Sequence, residues 1–503
     1  MSAQHVGSSS IRADRSGGTN RTDVALDLGD PATFAEHDLS GFWRGLRDTR
    51  PVHWNPPTGH RRGFWVLSRH EDIMAVHRDD EAFTSERGNV LVTLLEGVDA
   101  GAGKMLAVTD GPRHEQLRKI LLRSLGPRVL EPVAEAVRAN TRQLVREAVS
   151  RDECDFALEI ASRIPMTTIS NLLGIPESDR DFLLKQTKTA LSADDDEVDE
   201  TESAMARNEI LLYFLDLVEE RRRAPGEDLI STLASSTVEG AALSDEDIVL
   251  NCYSLIIGGD ETSRLTMIDS VRSLAAHPDQ WRRLKNGDCS IETAVDEVLR
   301  WASPSMHFGR SAVRDTEIHG VRIAKDDIVT LWHISANQDE RVFEKPQVFD
   351  LGRRPNKHIS FGYGPHFCVG SYLAKIEISE LLMALRDFTL NIEQTGEALR
   401  VRSNLLNGFH SLPVRMWPDH AGLARDKRTE RSEVMTGNPF EPDGGDWQVV
   451  VNDQGQHALW RPFLDLPAGW NVILSEADRE RALNYIDLNW TSLGPVERPS
   501  GTP

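Results

Sequence analysis

The stretch FGYGPHFCVG, residues 361–370, sets one cysteine, Cys368, among glycines and aromatic residues just ahead of a helical pattern. That pattern, VGSYLAKIEISELLMALRDF, repeats apolar residues at Leu373, Ile376, Leu381 and Leu385, one face of a helix. A lone cysteine is most often a small buried hydrophobe. At a helix N-terminus, however, it meets the positive end of the macrodipole and free amide donors, which favour thiolate, the state a soft metal ligand needs. Gly362 and Gly364 let the backbone turn tightly, and Gly370 lets the helix lie close against a flat ligand. The spacing Phe-Gly-x-Gly-x-His-x-Cys-x-Gly is far more specific than a cysteine alone.

The rest of the chain frames this loop. Its 503 residues allow roughly three domains, or one large helical unit of about 400 residues. A net charge of −22 argues against a nucleic-acid-binding face, which needs clustered basic residues. The start, MSAQHVGSSSIRADRSGGTNRTD, is polar and holds no apolar run long enough for a signal peptide or membrane anchor. Residues 1–31 are therefore expected to be a disordered lead-in to a cytoplasmic protein that does not engage a membrane. Cys154, Cys252, Cys289 and Cys368 are widely spaced and form no Cys-x-x-Cys pair, which points away from a disulfide framework or a zinc ribbon. Cys368 must work alone.

From residue 32 to 418 the pattern is mostly helical, as in RVLEPVAEAVRANTRQLVREAV and EILLYFLDLVEERRRA, with strand-like runs such as GFWVLSR and VRIAKDDIVTLWH. The acidic run SADDDEVDETE (192–202) reads as a solvated loop between helices. DHAGLARDKRTERSEVMTG (419–437) is charged and without apolar periodicity, as a linker would be. Residues 438–495 then carry Trp447, Trp460, Trp470 and Trp490, a tryptophan density unlike that of the first 418 residues, and 496–503 form a tail.

Three further segments of the large region bear on chemistry. LIIGGDETSR (255–264) lies in a long helical pattern opening at Ser244, with Asp247 as its capping-box partner. Gly258 and Gly259 cost roughly 1 kcal/mol each relative to Ala in a helix interior, so something should compensate. The Thr262 hydroxyl can bond back to the Gly258 carbonyl, bending the helix and opening a groove; a glycine packing contact is the plainer alternative. In DEVLRW (296–301), Glu297 and Arg300 stand one helical turn apart and can pair, most often a surface feature. TDGPRHEQLRK (109–119) puts His114 and Arg118 on one helical face, ordinarily a solvated one.

The cysteine stretch closely resembles the haem-ligand loop of the cytochrome P450 family, and the three segments follow that family's order and distances across residues 32–418. The resemblance implies a mainly α fold with small β-sheets, and haem b whose iron takes Cys368 as its axial thiolate, with electron donation that favours O–O cleavage. It implies that Phe361, Gly362 and Gly370 shape the loop around the haem. By the same resemblance His114, Arg118, His366 and Arg310, in HFGRSAVRD, bind the haem propionates. Thr262 and Glu261 support proton delivery to dioxygen, and Glu297 with Arg300 locks the loop under the haem. RSNLLNGFHSLPVRM (402–416), with Leu405, resembles the strand pair that closes the family's pocket. Ile256, Ile257 and Gly258 are further candidates for the pocket wall, core packing being an equal reading of the two isoleucines.

The tryptophan-rich segment reads as short strands followed by an amphipathic helix from about Ser475 to Asn489. It holds more tryptophan than its own core needs, and exposed tryptophans are favoured interface anchors. It resembles the MbtH-like proteins, small α+β partners that bind and activate adenylation domains of nonribosomal peptide synthetases. The matching residues are Asn438, Pro439, Phe440, Asn452, Gln456, Trp460, Pro467, Gly469, Trp470, Asn489, Trp490 and Thr491. The resemblance implies partner contacts from Gln456, Ala458, Leu459, Trp460 and Trp470. Gln454 and Ala458 stand where that family has Glu and Ser, and Arg461 separates Trp460 from the expected proline.

The joint expectation is a haem-thiolate monooxygenase using O2 to hydroxylate the β-carbon of an amino acid held as a thioester on a carrier domain. No ferredoxin-type cysteine cluster or flavin-binding pattern is present, so electrons from NAD(P)H are expected through a separate ferredoxin reductase and ferredoxin. Lys119, Arg123, Arg353 and Arg354 are candidates to receive an acidic ferredoxin. Two other readings stand beside this one. In one the enzyme oxidises a free amino acid or a peptide, by aryl coupling or nitration; in the other the chain is a haem-free recruitment scaffold, against which Cys368, Thr262 and the propionate set argue.

Overall fold

The computed structural model describes residues 26–97, 99–191, 200–433, 447–452, 456–460, 466 and 469–489. The large region is built around one unbroken helix, Asp245–Ala276. Its start is fixed locally, because Ser244 Oγ accepts from the Asp247 amide while the Asp247 carboxylate accepts from the Ser244 amide, the expected capping box. Ile248, Cys252, Ile256, Leu265, Ile268 and Val271 are buried along it, against the helices Arg163–Leu173, Glu200–Arg223, Ile291–Ala302 and Ser371–Phe388. A helix apolar on most sides belongs in the middle of a fold. The stretch RVLEPV onward forms the helix Pro127–Val149, with proline in its first turn, and packs along Ser371–Phe388.

To one side lies a five-stranded sheet in the order Val52–Asn55, Phe64–Leu67, Ile328–Trp332, His307–Ala312, Phe83–Thr84. Phe64–Leu67 runs parallel to Ile328–Trp332 and the other pairings are antiparallel. Register sets Arg310 opposite Val329. The fold is thus mainly helical with small sheets, as expected, and among the described residues no helix is long and apolar enough to cross a membrane.

Two local expectations change in this region. The acidic run expected as a loop ends inside a helix: Glu200–Glu202 open Glu200–Arg223, where acidic residues suit the first turn, while 192–199 lie outside the described residues. Within the expected linker, His420–Glu433 is helical. Asp419 caps it, accepting from the Ala421 and Gly422 amides at 3.0 Å, and Lys285 Nζ reaches Asp419 at 2.7 Å. Arg142 and Arg146 both converge on the buried Asp426. These partners are far off in sequence, which is why the segment reads locally as a linker.

In the tryptophan-rich module, Trp447–Asn452 is the middle strand, antiparallel to His457–Trp460 and Trp470–Ala477. Ala482 and Ile486 of the helix Arg479–Asn489 share a core with Trp447 and Val449. The helix begins at Arg479 rather than Ser475, because the Asp478 carboxylate accepts from the Arg481 amide at 2.8 Å while Ser475 continues the strand. Asn438, Pro439, Phe440, Gln454, Arg461, Pro467, Trp490 and Thr491 lie outside the described residues.

Candidate active site

Gly362 and Gly364 adopt left-handed φ of 73° and 69°, which non-glycine residues rarely adopt. A Cβ on Gly364 would stand 2.6 Å from the His77 carbonyl oxygen, so the loop sits directly on the helix His70–Arg78. The Cys368 amide donates to the Phe361 carbonyl at 2.9 Å and closes the turn. Cys368 thereby borders a cavity of about 400 Å³ between this loop and the long helix. Burial pushes the thiol up against the opposing pull of the Gly370 amide and Arg118, so the helix terminus alone does not secure the thiolate that its position suggests.

Most of the residues expected here border that one cavity: Phe361, Gly362, His366, Cys368 and Gly370 from the loop, His114 and Arg118 from Gly111–Ser124, and Arg310 from the sheet. The His114 and His366 rings lie against each other, centroids 4.3 Å apart and planes tilted by 33°, and His366 Nε2 meets Asp110 Oδ1 at 2.8 Å. Asp110 would be raised by its burial, but bonds from His366, Thr84 and the Ser85 amide hold it far below the usual carboxylate range. Burial brings His114 down to about 3, with His366 and Arg118 adding to the effect, and its buried Nε2 has no partner.

Arg310 is 4 % exposed and lowered to about 10 by burial, and neither it nor Arg118 has a carboxylate within 4.0 Å among the described residues. Two desolvated guanidiniums with no carboxylate in contact are costly, and a ligand bearing two carboxylates would offset that cost. The orphaned His114 nitrogen, the two arginines and the cysteine sulfur on one cavity wall fit haem.

On the opposite wall the Thr262 hydroxyl donates to the Gly258 carbonyl at 2.8 Å, as expected. Its proton is thus engaged, leaving the oxygen's lone pairs for a donor in the cavity. A Cβ on Gly258 would meet nothing within 4 Å, so this glycine opens space rather than packing a neighbour. Glu261 borders the cavity but pairs through both oxygens with Arg264. Two acids absent from the sequence reading lie nearby: burial raises Asp260 to about 7, with Glu261 adding to it, and raises Glu377 to about 7 against bonds from Ser263 and Thr168.

Ile257, Gly258 and Leu405 border the cavity, whereas Ile256 is fully buried in the core on another side of the helix and does not. Glu297 and Arg300 are fully buried rather than on the surface: Arg300 meets both Glu297 oxygens at 2.8 Å, and its Nη1 donates to the carbonyls of Asn337 and Pro346. Arg353 joins them, donating to Glu297 at 3.0 Å, and is 9 % exposed, so it is not available to a docking protein. Lys119, Arg123 and Arg354 are exposed.

In the small module Ala458, Leu459, Trp460 and Trp470 are half-buried on the two outer strands. Gln456 exchanges hydrogen bonds with Asn452, at 2.7 and 2.9 Å.

A family model for cytochrome P450 matches residues 291–413, and one for MbtH-like protein matches residues 436–500. Cytochrome P450 NovI of Streptomyces niveus is 45% identical over 391 residues, covering 78% of this chain and 96% of that protein. Linalool 8-monooxygenase of Pseudomonas putida is 32% identical over 402 residues, covering 78% and 99%. Among solved structures, the P450 OxyD, involved in the biosynthesis of vancomycin-type antibiotics, is 34% identical with a TM-score of 0.73, covering 78% of this chain and 100% of that one. With the cysteine loop, the basic wall and the threonine groove assembled on one cavity, the chain belongs to the cytochrome P450 monooxygenase family and carries an MbtH-like domain at its C-terminal end.

Proposed function

We propose that this protein hydroxylates the β-carbon of an amino acid held as a thioester on a carrier domain, in the assembly of a nonribosomal peptide or a related natural product. The observation that carries this reading is the join itself: an MbtH-like segment follows an oxygenase in one chain. The module then binds an adenylation domain, and the tether raises the effective concentration of the oxygenase beside the loaded synthetase. The likeness to a P450 of antibiotic biosynthesis supports the same setting.

Haem held by Cys368 supplies O2 activation, with electrons from NAD(P)H through a ferredoxin reductase and an acidic ferredoxin received at the exposed Lys119, Arg123 and Arg354. The chain's own residues do the rest. His114, Arg118, Arg310 and His366 hold the carboxylate edge, Thr262 positions a proton beside Gly258, and Ile257 with Leu405 presents an apolar wall to the substrate. On this reading the protein works in the cytoplasm.

The test is the spin-state shift of ferric protein titrated with an aminoacyl carrier domain and with the same amino acid free. A shift with the carrier-bound form alone supports the proposal; free amino acid bound and oxidised as efficiently as carrier-bound overturns it.

A further inference from the structure

His77 and His333 come from segments far apart in the chain, the helix His70–Arg78 and the turn after strand Ile328–Trp332, yet their Nε2 atoms lie 2.9 Å apart. Both rings are buried, and His77 borders the same cavity as Arg310, His114, Arg118 and His366. We propose that His77, backed by His333, is a further hydrogen-bond donor to the carboxylate edge of the bound haem. The inference rests on the reading that this cavity takes haem.

Burial pushes both histidines down, His333 to about 3, so each ring is neutral and carries one proton. A nitrogen–nitrogen hydrogen bond takes its proton from one ring only, which leaves two arrangements.

In the first, His77 donates from Nε2 and its Nδ1 accepts from Arg310 Nη2, a long contact of 3.5 Å. His333 must then carry its proton on Nδ1, a buried atom with no partner, and an unpaired buried N–H is costly. In the second, His333 donates from Nε2, its Nδ1 is bare, and His77 carries its proton on Nδ1, beside the Arg310 guanidinium. That N–H has no acceptor among the described residues. A carboxylate bound at Arg310 supplies one. Filling the cavity therefore favours the second arrangement and adds His77 to the carboxylate-binding set.

The experiment compares His77→Phe, which removes the donor, with His77→Gln, which keeps one. Two quantities are read: the rate of haem release to excess apomyoglobin and the ferric–ferrous midpoint potential. Haem content of the wild-type protein is measured first, which separates failure of this inference from failure of the haem reading. His77→Phe should release haem about tenfold faster, the order expected for one hydrogen bond to a charged group. Its potential should move to more negative values, because a less compensated carboxylate favours ferric iron. His77→Gln should bring both back toward wild type. Wild-type values in His77→Phe, or equal defects in both variants, overturn the inference. If His77→Phe does not fold, His333→Leu is read in the same assays; it leaves the cavity wall whole but frees the His77 ring, so faster release supports the proposal and unchanged values overturn it.

Discussion

Glu261 and Arg264, one turn apart on the long helix, form a buried ion pair, with the Arg264 Nε donating to Glu261 at 2.9 Å. The side chains are only 6% and 5% exposed, so neither is compensated by water if the other is removed. The acid that the family resemblance assigns to proton delivery also holds the helix together at this point.

Glu261→Gln should therefore cost stability as well as turnover. Stranding a buried arginine typically costs about 3–5 kcal/mol. Urea unfolding of the variant should show a loss of that order, whereas an acid serving only as a relay would leave the midpoint unchanged.

Thr262→Ala removes the hydroxyl that Gly258 orients. Product formation should fall by roughly a hundredfold, the low end for a positioned proton-transfer group, while NAD(P)H and O2 continue to be consumed. Product formed per NAD(P)H oxidised checks this; unchanged coupling would remove Thr262 from the chemistry.

Glu377 gives a pH dependence of definite sign. Burial raises it to about 7 in the folded chain, above its unfolded value, so between about pH 4 and 7 the folded state holds a proton that the unfolded state has lost. Stability from this group is complete at low pH, falls as pH rises through that window and is level above it. Glu377→Gln should match wild type at pH 4 and exceed it at pH 8, by on the order of 1–3 kcal/mol. Denaturant midpoints at the two pH values provide the check.

Glu297→Gln should be severely destabilising, by about 3–5 kcal/mol, since Arg300 and Arg353 both lose their buried counter-charge. Thermal melts measure this, and a surface pair would show almost nothing.

That contrast shows where sequence suffices. The cysteine loop is legible because its glycines are demanded by backbone geometry, φ near 70° at Gly362 and Gly364, and that demand is written locally. The capping box at Ser244 and the Thr262 bond to Gly258 are local too. Burial is not local: spacing pairs Glu297 with Arg300 but cannot say that Arg353 will join them. Ile256 and Ile257 are neighbours whose side chains diverge around the helix, so one reaches the cavity and the other the core. His77 and His333 meet only because helix and sheet bring them together. The helix His420–Glu433 is held by charges from remote segments, so its own composition reads as a linker.

Whether Cys368 is the thiolate ligand of a haem in this cavity is read from the carbon monoxide difference spectrum of the reduced, purified protein. Wild type should show a Soret band of the thiolate-ligated type that is lost in Cys368→Ala, as thiolate ligation requires. Well-folded wild-type protein without haem, or a band that survives in Cys368→Ala, would contradict it.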